Sequence, residues 1–254
     1  MRRAIRSCVV AFVEGCQPEG PVVELGSYYT PGMASLCDLR PLFRDREFIG
    51  CDIRAGCGVD RIEDAQNLSF AAESVGAVLL FEVLEHLPHP SRAVDEAFRV
   101  LRADGLLAVS VPFTYRLHGF PTDYWRFTAS GVDRLLARFP SRVVVAVGPR
   151  LKPAFIFAVA SRASGDRFAA QRDRFVSQAD ALLRRTRLRG YWSLLKERGR
   201  DLLGLMIGRA EVRMTVFDSS APGGYLPTRP PAVSGGSGEP ASSVDGFRPE
   251  GPTR

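Results

Sequence analysis

The sequence predicts an α/β fold whose central element is a doubly wound sheet covered by helices. Strand-like and helix-like segments alternate from residue 21 to about residue 160, which is the pattern of a parallel sheet with helical crossovers. Four of the strand-like segments end directly at polar residues. With 254 residues, 45% of them hydrophobic, the chain is long enough to bury one sizeable core and to carry an appendage.

The predicted strands are short apolar runs that end at a glycine or at an acid. VVELG, from Val22, ends at a glycine turn, and FIGCDI ends just after Asp52. GVDRIED, from Gly58, is a weaker third strand, and the run that begins near Gly76 turns polar at Glu82. LLAVSVP, RVVVAVG and AFIFAVAS follow, so that about seven strands are expected, and the last run is apolar enough to be central.

Three other segments predict helices. MRRAIRSCVVAFVEG begins basic and turns apolar, but Glu14 interrupts the run and no small-residue cleavage pattern follows, so a helix covering the domain is favoured over a signal peptide. In SRAVDEAFRVLRADG the apolar residues share one helical face, with Ser91 as the predicted cap and Gly105 as the predicted end. ASGVDRLLARF predicts a further helix.

The composition changes after Ser161 and predicts three parts of the chain. These are a main domain over residues 1–161, an arginine-rich helical extension over 162–217, and a disordered Gly/Pro/Ser-rich tail over 218–254. A helical lid or a homodimer contact is favoured for residues 163–210, and contact with a membrane surface is the alternative. This segment matches no recognised nucleic-acid-binding module, so no nucleic-acid partner is expected.

Charge and cysteine content narrow the class of protein. The net charge of +6 is too modest to indicate a partner by itself. The five cysteines are odd in number and form no C-x-x-C pair, which argues against a disulfide framework and a zinc site and predicts reduced thiols in a cytoplasmic protein. No apolar stretch approaches the length of about 18 residues that would span a bilayer. No metal site is expected.

The polar strand ends predict a ligand site, because ligands of doubly wound sheets lie outside the carboxyl ends of the strands. Asp52, 20 residues past Gly32, is well placed to accept both ribose hydroxyls of a nucleoside. In VVELGSYYTPG, Tyr28 stands where a G-x-G-x-x-G loop has its second glycine, and it crowds the space that a pyrophosphate needs. A nucleoside with a cationic, amino-acid-like tail fits better beside Glu24, and S-adenosylmethionine is that ligand.

Five segments, in the expected order, resemble the class I S-adenosylmethionine-dependent methyltransferases with a V-x-E-x-G first motif and a VLEHL fourth motif. They are VVELGS, FIGCDI, RIEDAQNLSF, LLFEVLEHLPHPSRAVDEAFRVLRADGLLAVSVP and HGFPTDYWRFTASGVDRLL. The resemblance implies a Rossmann-like sheet of seven strands, mostly parallel with one antiparallel strand, and S-adenosylmethionine as cofactor. It also implies a cofactor site. The methionine part is surrounded by Glu24, Gly26 and Ser27, and the ribose is held by Asp52, next to which Ile53 is a further cofactor-binding residue. The adenine is flanked by Asp64 and Ala65, and the inner edge is lined by Phe81 and Glu82.

The segment after the fifth strand, YRLHGFPTDYWRFT, is the predicted wall of the acceptor site. His118 and Asp123 are candidate bases, Arg126 is a candidate anchor for an anionic substrate, and Tyr124 and Trp125 are expected to cover the pocket.

The alternative for this segment is structural. In it, the aromatic residues, with Phe127, anchor the following helix in the core, and Arg126 pairs with a structural acid. His86 is either a base in contact with the substrate or a structural residue at the end of a helix.

The predicted function is therefore methyl transfer from S-adenosylmethionine to an oxygen or nitrogen of a small molecule or glycan precursor. A cofactor-binding protein that has lost catalysis and acts through interactions is the second hypothesis. A nicotinamide-dependent oxidoreductase is the third, and the missing glycines count against it.

Overall fold

The computed structural model describes residues 3–118, 122–149, 151–197 and 213–218. Five α-helices lie in these residues: α1 (Arg3–Cys16), α2 (Ala34–Cys37), α3 (Pro90–Val100), α4 (Ala129–Leu135) and α5 (Asp166–Glu197). The strands there are β1 (Val22–Leu25), β2 (Phe48–Asp52), β3 (Arg61–Ile62), β4 (Val75–Phe81), β5 (Leu101–Pro112), β6 (Ser141–Gly148), β7 (Phe155–Ser161) and β8 (Arg213–Asp218). Two 3₁₀ turns lie at Arg40–Leu42 and Leu84–His86.

The strands form one sheet in the order β3-β2-β1-β4-β5-β7-β6-β8. Strands β1 to β5 pair in parallel, and β7 is antiparallel to both β5 and β6. The predicted Rossmann-like sheet of seven strands, mostly parallel with one antiparallel strand, is confirmed for β1 to β7. An eighth strand, β8, pairs antiparallel to the outer side of β6, within residues that the sequence predicts to be a helical extension.

Helix α3 is shorter than the sequence predicts. It starts with Pro90 at its first position, and the side chain of the residue before it, His89, makes no capping bond. The helix ends at Val100, because Leu101 adopts an extended backbone and pairs with Val75 of β4. The predicted helical end at Gly105 is therefore wrong, and residues 101–105 begin strand β5.

The sheet carries a hydrophobic core on each face. Helices α1 and α5 cover one face, and α3 and α4 cover the other. Phe168, Phe175, Ala179 and Leu183 place the first half of α5 in the same core as α1. The division of the chain at residue 161 stays a prediction, and the predicted disordered tail lies outside the described residues apart from Asp218. In the part of the chain that the structure describes, no helix combines the length and the apolar character needed to cross a membrane.

Removal of the Phe175 ring tests whether α5 belongs to the core of the sheet. The ring is fully buried and stacks on Phe157 of β7 at a centroid distance of 5.7 Å. We expect Phe175→Ala to lower the free energy of unfolding by about 3 to 5 kcal/mol in urea titrations. Leu151→Ala, at a side chain that is 86% exposed, is the control and should change it by less than about 0.5 kcal/mol. An equally small loss for Phe175→Ala would show that α5 does not stabilise the sheet.

Candidate cofactor and acceptor site

The carboxyl ends of β3, β2, β1, β4 and β5 lie side by side at one edge of the sheet, because these strands are neighbours and parallel. The residues that the sequence assigns to the cofactor lie at the ends of these strands or in the loops after them. The structure therefore brings the predicted cofactor residues to one edge. The acceptor segment follows β5 and reaches the same edge.

The turn after β1 is fastened to β2. Gly26 adopts the left-handed backbone with φ of 82°, which favours glycine. The backbone N–H groups of Gly26 and Ser27 both donate to the carbonyl oxygen of Cys51, at 2.8 and 2.9 Å, and the Ser27 hydroxyl donates to the same oxygen at 3.2 Å. The chain is thus held in a tight turn beside the end of β2.

The two tyrosines of this turn pack against the loop that follows β2. A β-carbon at Gly56 would lie 2.4 Å from the Tyr28 ring, and one at Gly58 would lie 2.6 Å from the Tyr29 ring. The Arg54 guanidinium lies over the Tyr28 ring at 4.3 Å from its centroid. The glycines of the loop after β2 therefore allow the tyrosine rings of the turn after β1 to pack closely against that loop. The sequence analysis missed Arg54, Gly56 and Gly58, for which a Gly-rich loop after an acidic strand end was the available signal.

Asp52, at the end of β2, is buried and oriented by its neighbours. Its Oδ1 accepts from the backbone N–H of Arg54 at 3.0 Å and from the Arg54 Nε at 3.4 Å, and its Oδ2 accepts from the Tyr28 N–H at 3.4 Å. Ile53 follows it with an exposed side chain. A carboxylate fixed in this way can accept further hydrogen bonds from paired hydroxyl groups.

Asp64 and Ala65 lie in the turn after β3. The Asp64 Oδ1 accepts from the backbone N–H of Gln66 at 2.8 Å, and its side chain is otherwise exposed. Ala65 is buried beside it. This turn gives a small apolar contact next to a polar one, at the outer end of the same edge.

Glu24 is a buried carboxylate within β1. Burial raises the pKa of Glu24 to about 8, although the charge of Arg40 acts in the opposite direction. The side chain is therefore largely neutral at pH 7, and a cation placed beside it would favour its ionised form.

The end of β4 is strained. Phe81 is buried and stacks on Phe157 at a centroid distance of 5.6 Å. Glu82 adopts a left-handed backbone with φ of 58°, which is uncommon for a residue other than glycine. Its N–H donates to the carbonyl oxygen of Ser110 on β5 at 2.9 Å, and its Oε1 accepts from the Ser110 hydroxyl at 3.4 Å. Strain of this kind is typical of functional sites.

Backbone hydrogen bonds join the acceptor segment to the 3₁₀ turn after β4. The carbonyl oxygen of Glu85 accepts from the N–H groups of Tyr124 and Trp125, at 2.8 and 3.3 Å. The Trp125 indole donates to the carbonyl oxygen of Leu87 at 2.8 Å, and the His86 Nδ1 lies 2.8 Å from the carbonyl oxygen of Thr122. His86 and the acceptor segment, far apart in sequence, are thereby in contact.

The three predicted catalytic residues form one connected group. Both oxygens of Asp123 accept from the Arg126 guanidinium, and the Oδ2 also lies 3.1 Å from both the backbone N and the Nδ1 of His118. Hydrogen bonds from Arg126 hold the pKa of Asp123 well below its usual value. Arg126 also donates to the carbonyl oxygens of Trp125 and Arg116. It thus has the structural acid partner that the sequence analysis gives as its alternative role.

The aromatic residues of this segment differ in burial. Tyr124 is 51% exposed and Trp125 is 43% exposed, so neither is a core anchor. Phe127 packs against the core formed with α3 and α4, as the structural alternative expects.

Glu85 is a residue that the sequence analysis missed. Its side chain is 0% exposed, and neither carboxylate oxygen has a hydrogen-bond partner among the described residues. Burial, with the charge of Glu82, raises the pKa of Glu85 to about 8. A carboxylate inside the apolar run VLEHL was the available signal.

Comparison with known proteins gives a family match that includes the strands on both sides of β1. Residues 44–109, about a quarter of the chain, match the family model described as a methyltransferase domain. They include β2, β3, β4, the 3₁₀ turn Leu84–His86, α3 and most of β5. No curated protein is similar enough to this sequence to count as a match.

Solved structures with a similar fold include methyltransferases from bacteria and an archaeon. A 1,6-didemethyltoxoflavin-N1-methyltransferase from Burkholderia thailandensis, with its substrate and S-adenosylhomocysteine bound, is 15% identical with a TM-score of 0.49, over 63% of this chain and 79% of that chain. An S-adenosylmethionine-dependent methyltransferase from Archaeoglobus fulgidus is 14% identical with a TM-score of 0.48, over 63% and 94% of the two chains. One from Thermotoga maritima is 19% identical with a TM-score of 0.45, over 63% and 94%.

Burial of Glu24 makes stability depend on pH in a defined direction. Because the folded-state pKa is raised from about 4.5 to about 8, the stability tied to the neutral carboxyl is complete below pH 4.5 and is lost as the pH rises through 8. We expect Glu24→Gln to flatten the fall in unfolding free energy between pH 5 and pH 8, as measured by urea titration of the protein without cofactor. Glu14→Gln, at an exposed position on α1, should keep the wild-type slope. A Glu24→Gln protein with the wild-type slope would contradict this assignment.

Proposed function

We propose that this chain, in which residues 44–109 match the methyltransferase-domain family model, transfers a methyl group from S-adenosylmethionine to an oxygen or nitrogen of a small molecule or glycan precursor. The observation that carries the proposal is that two chemically different groups of side chains lie together at one edge of the sheet. The first group has the buried carboxylates of Glu24 and Asp52, which suit a nucleoside with a cationic tail. The second group has two histidines, an acid and exposed aromatic residues.

The proposed cofactor site follows the order of the strands. Asp52, with Ile53 beside it, holds the ribose hydroxyls, and Asp64 with Ala65 flanks the adenine. Glu24, Gly26 and Ser27 surround the methionine part, and Phe81 and Glu82 line the inner edge. The raised pKa of Glu24 supports this arrangement, because an ammonium or sulfonium group adds a positive charge beside the buried carboxylate to the charge of Arg40.

The chemistry is an in-line displacement at carbon. A lone pair of the acceptor attacks the methyl carbon of the sulfonium, the carbon–sulfur bond breaks with its electron pair going to sulfur, and S-adenosylhomocysteine leaves. The acceptor must also lose a proton. His118 is the proposed base, because Asp123 engages its Nδ1 and so leaves Nε2 to receive the proton.

The other acceptor-side residues have supporting roles in this proposal. Arg126 holds Asp123 in its ionised form, and Tyr124 and Trp125 cover the acceptor with their exposed rings. His86 lines the acceptor site next to His118, the two rings meeting edge to face with centroids 4.8 Å apart. A homodimer or membrane contact through residues 163–210 stays a prediction, as does a cytoplasmic location.

Binding measurements separate this proposal from the alternatives. We expect calorimetry to detect saturable binding of S-adenosylhomocysteine and none of NAD. Asp52→Ala should weaken the binding of S-adenosylhomocysteine by about 1 to 3 kcal/mol, or roughly 5- to 150-fold, through loss of charged hydrogen bonds to the ribose. Asp95→Ala, at an exposed acid on α3, is the matched control and should bind as the wild type does. Absence of any S-adenosylhomocysteine binding would exclude a methyltransferase.

Turnover tests the acceptor side. With a panel of phenols, amines and sugar nucleotides, release of S-adenosylhomocysteine should depend on the acceptor. His118→Ala should lower the rate by on the order of 10² to 10⁴, the range for loss of a general base, while S-adenosylhomocysteine affinity stays unchanged. A protein that binds the cofactor and methylates no acceptor would support the interaction-protein hypothesis.

A further inference from the structure

We infer that Glu85, His86 and His118 form a binding site for a divalent transition-metal ion on the acceptor side of the domain. Each residue offers one ligand atom, and these three atoms lie within 4.8 Å of one another. No metal site is expected from the sequence, because no metal-ligand spacing appears in it. His118 is remote from the VLEHL motif, and its approach to that motif depends on the hydrogen bonds between the two loops.

Both imidazoles are held in the way that metal-binding histidines usually are. The Nδ1 of His86 lies 2.8 Å from the carbonyl oxygen of Thr122, and the Nδ1 of His118 lies 3.1 Å from the Asp123 Oδ2. Each acceptor oxygen places the proton on Nδ1 and leaves the Nε2 lone pair for a ligand. The Nε2 of His86 lies 3.8 Å from the Glu85 Oε1, a separation that one ion bridges.

The Glu85 carboxylate is an independent sign of a ligand. It is fully buried, yet both oxygens lack a hydrogen-bond partner in the part of the chain that the structure describes. Buried carboxylates are normally paired, hydrogen-bonded or bound to a metal. The nearby cation Arg126 is committed to Asp123 through both of its terminal nitrogens. Protonation of Glu85 would remove the charge but would leave the buried hydroxyl and carbonyl groups without partners.

The ligand set indicates which ions fit. One carboxylate oxygen and two imidazole nitrogens suit Zn²⁺, Co²⁺, Mn²⁺ or Fe²⁺, and three protein ligands leave coordination positions open. A site of this kind takes up an oxygen or nitrogen of a further molecule and lowers its pKa. On the proposed function, that molecule is the methyl acceptor.

This inference rests on the proposed function for its role and deepens it. The acceptor hydroxyl binds the ion and loses its proton to water, the resulting oxygen attacks the methyl carbon, and the carbon–sulfur bond breaks with its electron pair going to sulfur. His118 is then a ligand of the ion and not the base, and the ion makes the proton loss possible by lowering the pKa of the acceptor. Asp123 becomes a positioning residue that holds the His118 ring.

Titration with Co²⁺ tests the site without any need for turnover. We expect the wild-type chain to bind one Co²⁺ saturably, with weak visible absorption bands of oxygen and nitrogen ligands, no thiolate band, and displacement by Zn²⁺. His86→Ala, His118→Ala and Glu85→Gln should each abolish saturation. Asp123→Asn should weaken binding by about 10- to 100-fold through loss of the fixed imidazole.

The chain provides its own matched control. It contains three histidines, and the third, His89, is exposed and outside the cluster. His89→Ala should bind Co²⁺ as the wild type does, and circular dichroism of every variant checks that it is folded. No saturable binding by the wild type, or wild-type binding by the His86→Ala and His118→Ala proteins, would overturn the metal site.

Calorimetry with S-adenosylhomocysteine on the same samples separates this inference from the proposed function. Cofactor binding without Co²⁺ binding would refute the metal site and leave His118 as the proposed base. Co²⁺ binding without cofactor binding would refute the methyltransferase proposal. The metal site would then be confirmed, but its proposed role in activating a methyl acceptor would be refuted as well.

Discussion

The predicted acceptor side depends on hydrogen bonds to backbone carbonyl oxygens, which join the segment after β5 to the 3₁₀ turn after β4 and to the residue that follows this turn. The carbonyl oxygen of Glu85 accepts two of them, from Tyr124 and Trp125, and the carbonyl oxygen of Leu87 accepts a third from the Trp125 indole. Since β4 and β5 are parallel neighbours, both loops begin at the same edge, and a few bonds suffice to make them one unit. That unit brings His118 to His86 and Glu85, and it borders Phe81 and Glu82 on the cofactor side.

Two buried carboxylates mark the two sides of this edge. Burial raises the pKa of both Glu24 and Glu85 to about 8, so each would cost stability as a bare anion near neutral pH. A carboxylate kept in such a place is best explained by a positively charged partner that arrives from outside. We propose the cationic tail of S-adenosylmethionine as this partner on the cofactor side and the metal ion on the acceptor side. Both proposals place a positive charge beside a buried carboxylate, and the metal site rests as well on the positions of the two histidines.

The sequence predicts the parts of this arrangement that depend on local pattern. Alternating segments and apolar runs are enough to give the sheet, and an acid directly after an apolar strand is enough to single out Asp52. The end of α3 is missed, because pairing of Leu101 with β4 overrides a helical pattern that continues past Val100. Strand β8 is missed because it depends on a partner strand far away in the chain.

The sequence predicts only part of the proposed acceptor site, because the rest depends on contacts between residues that are far apart in the chain. His118, Asp123 and Arg126 stand close together in the sequence, and their connection follows from their spacing. The approach of His118 to Glu85 is a long-range contact, and no local pattern encodes it. The most direct test of the whole account is a crystal structure with S-adenosylhomocysteine bound. We predict that both ribose hydroxyls donate hydrogen bonds to Asp52 and that the sulfur lies beside Phe81 and Glu82 and faces His118. A ribose that does not contact Asp52, or a sulfur that faces away from His118, would contradict the proposed site.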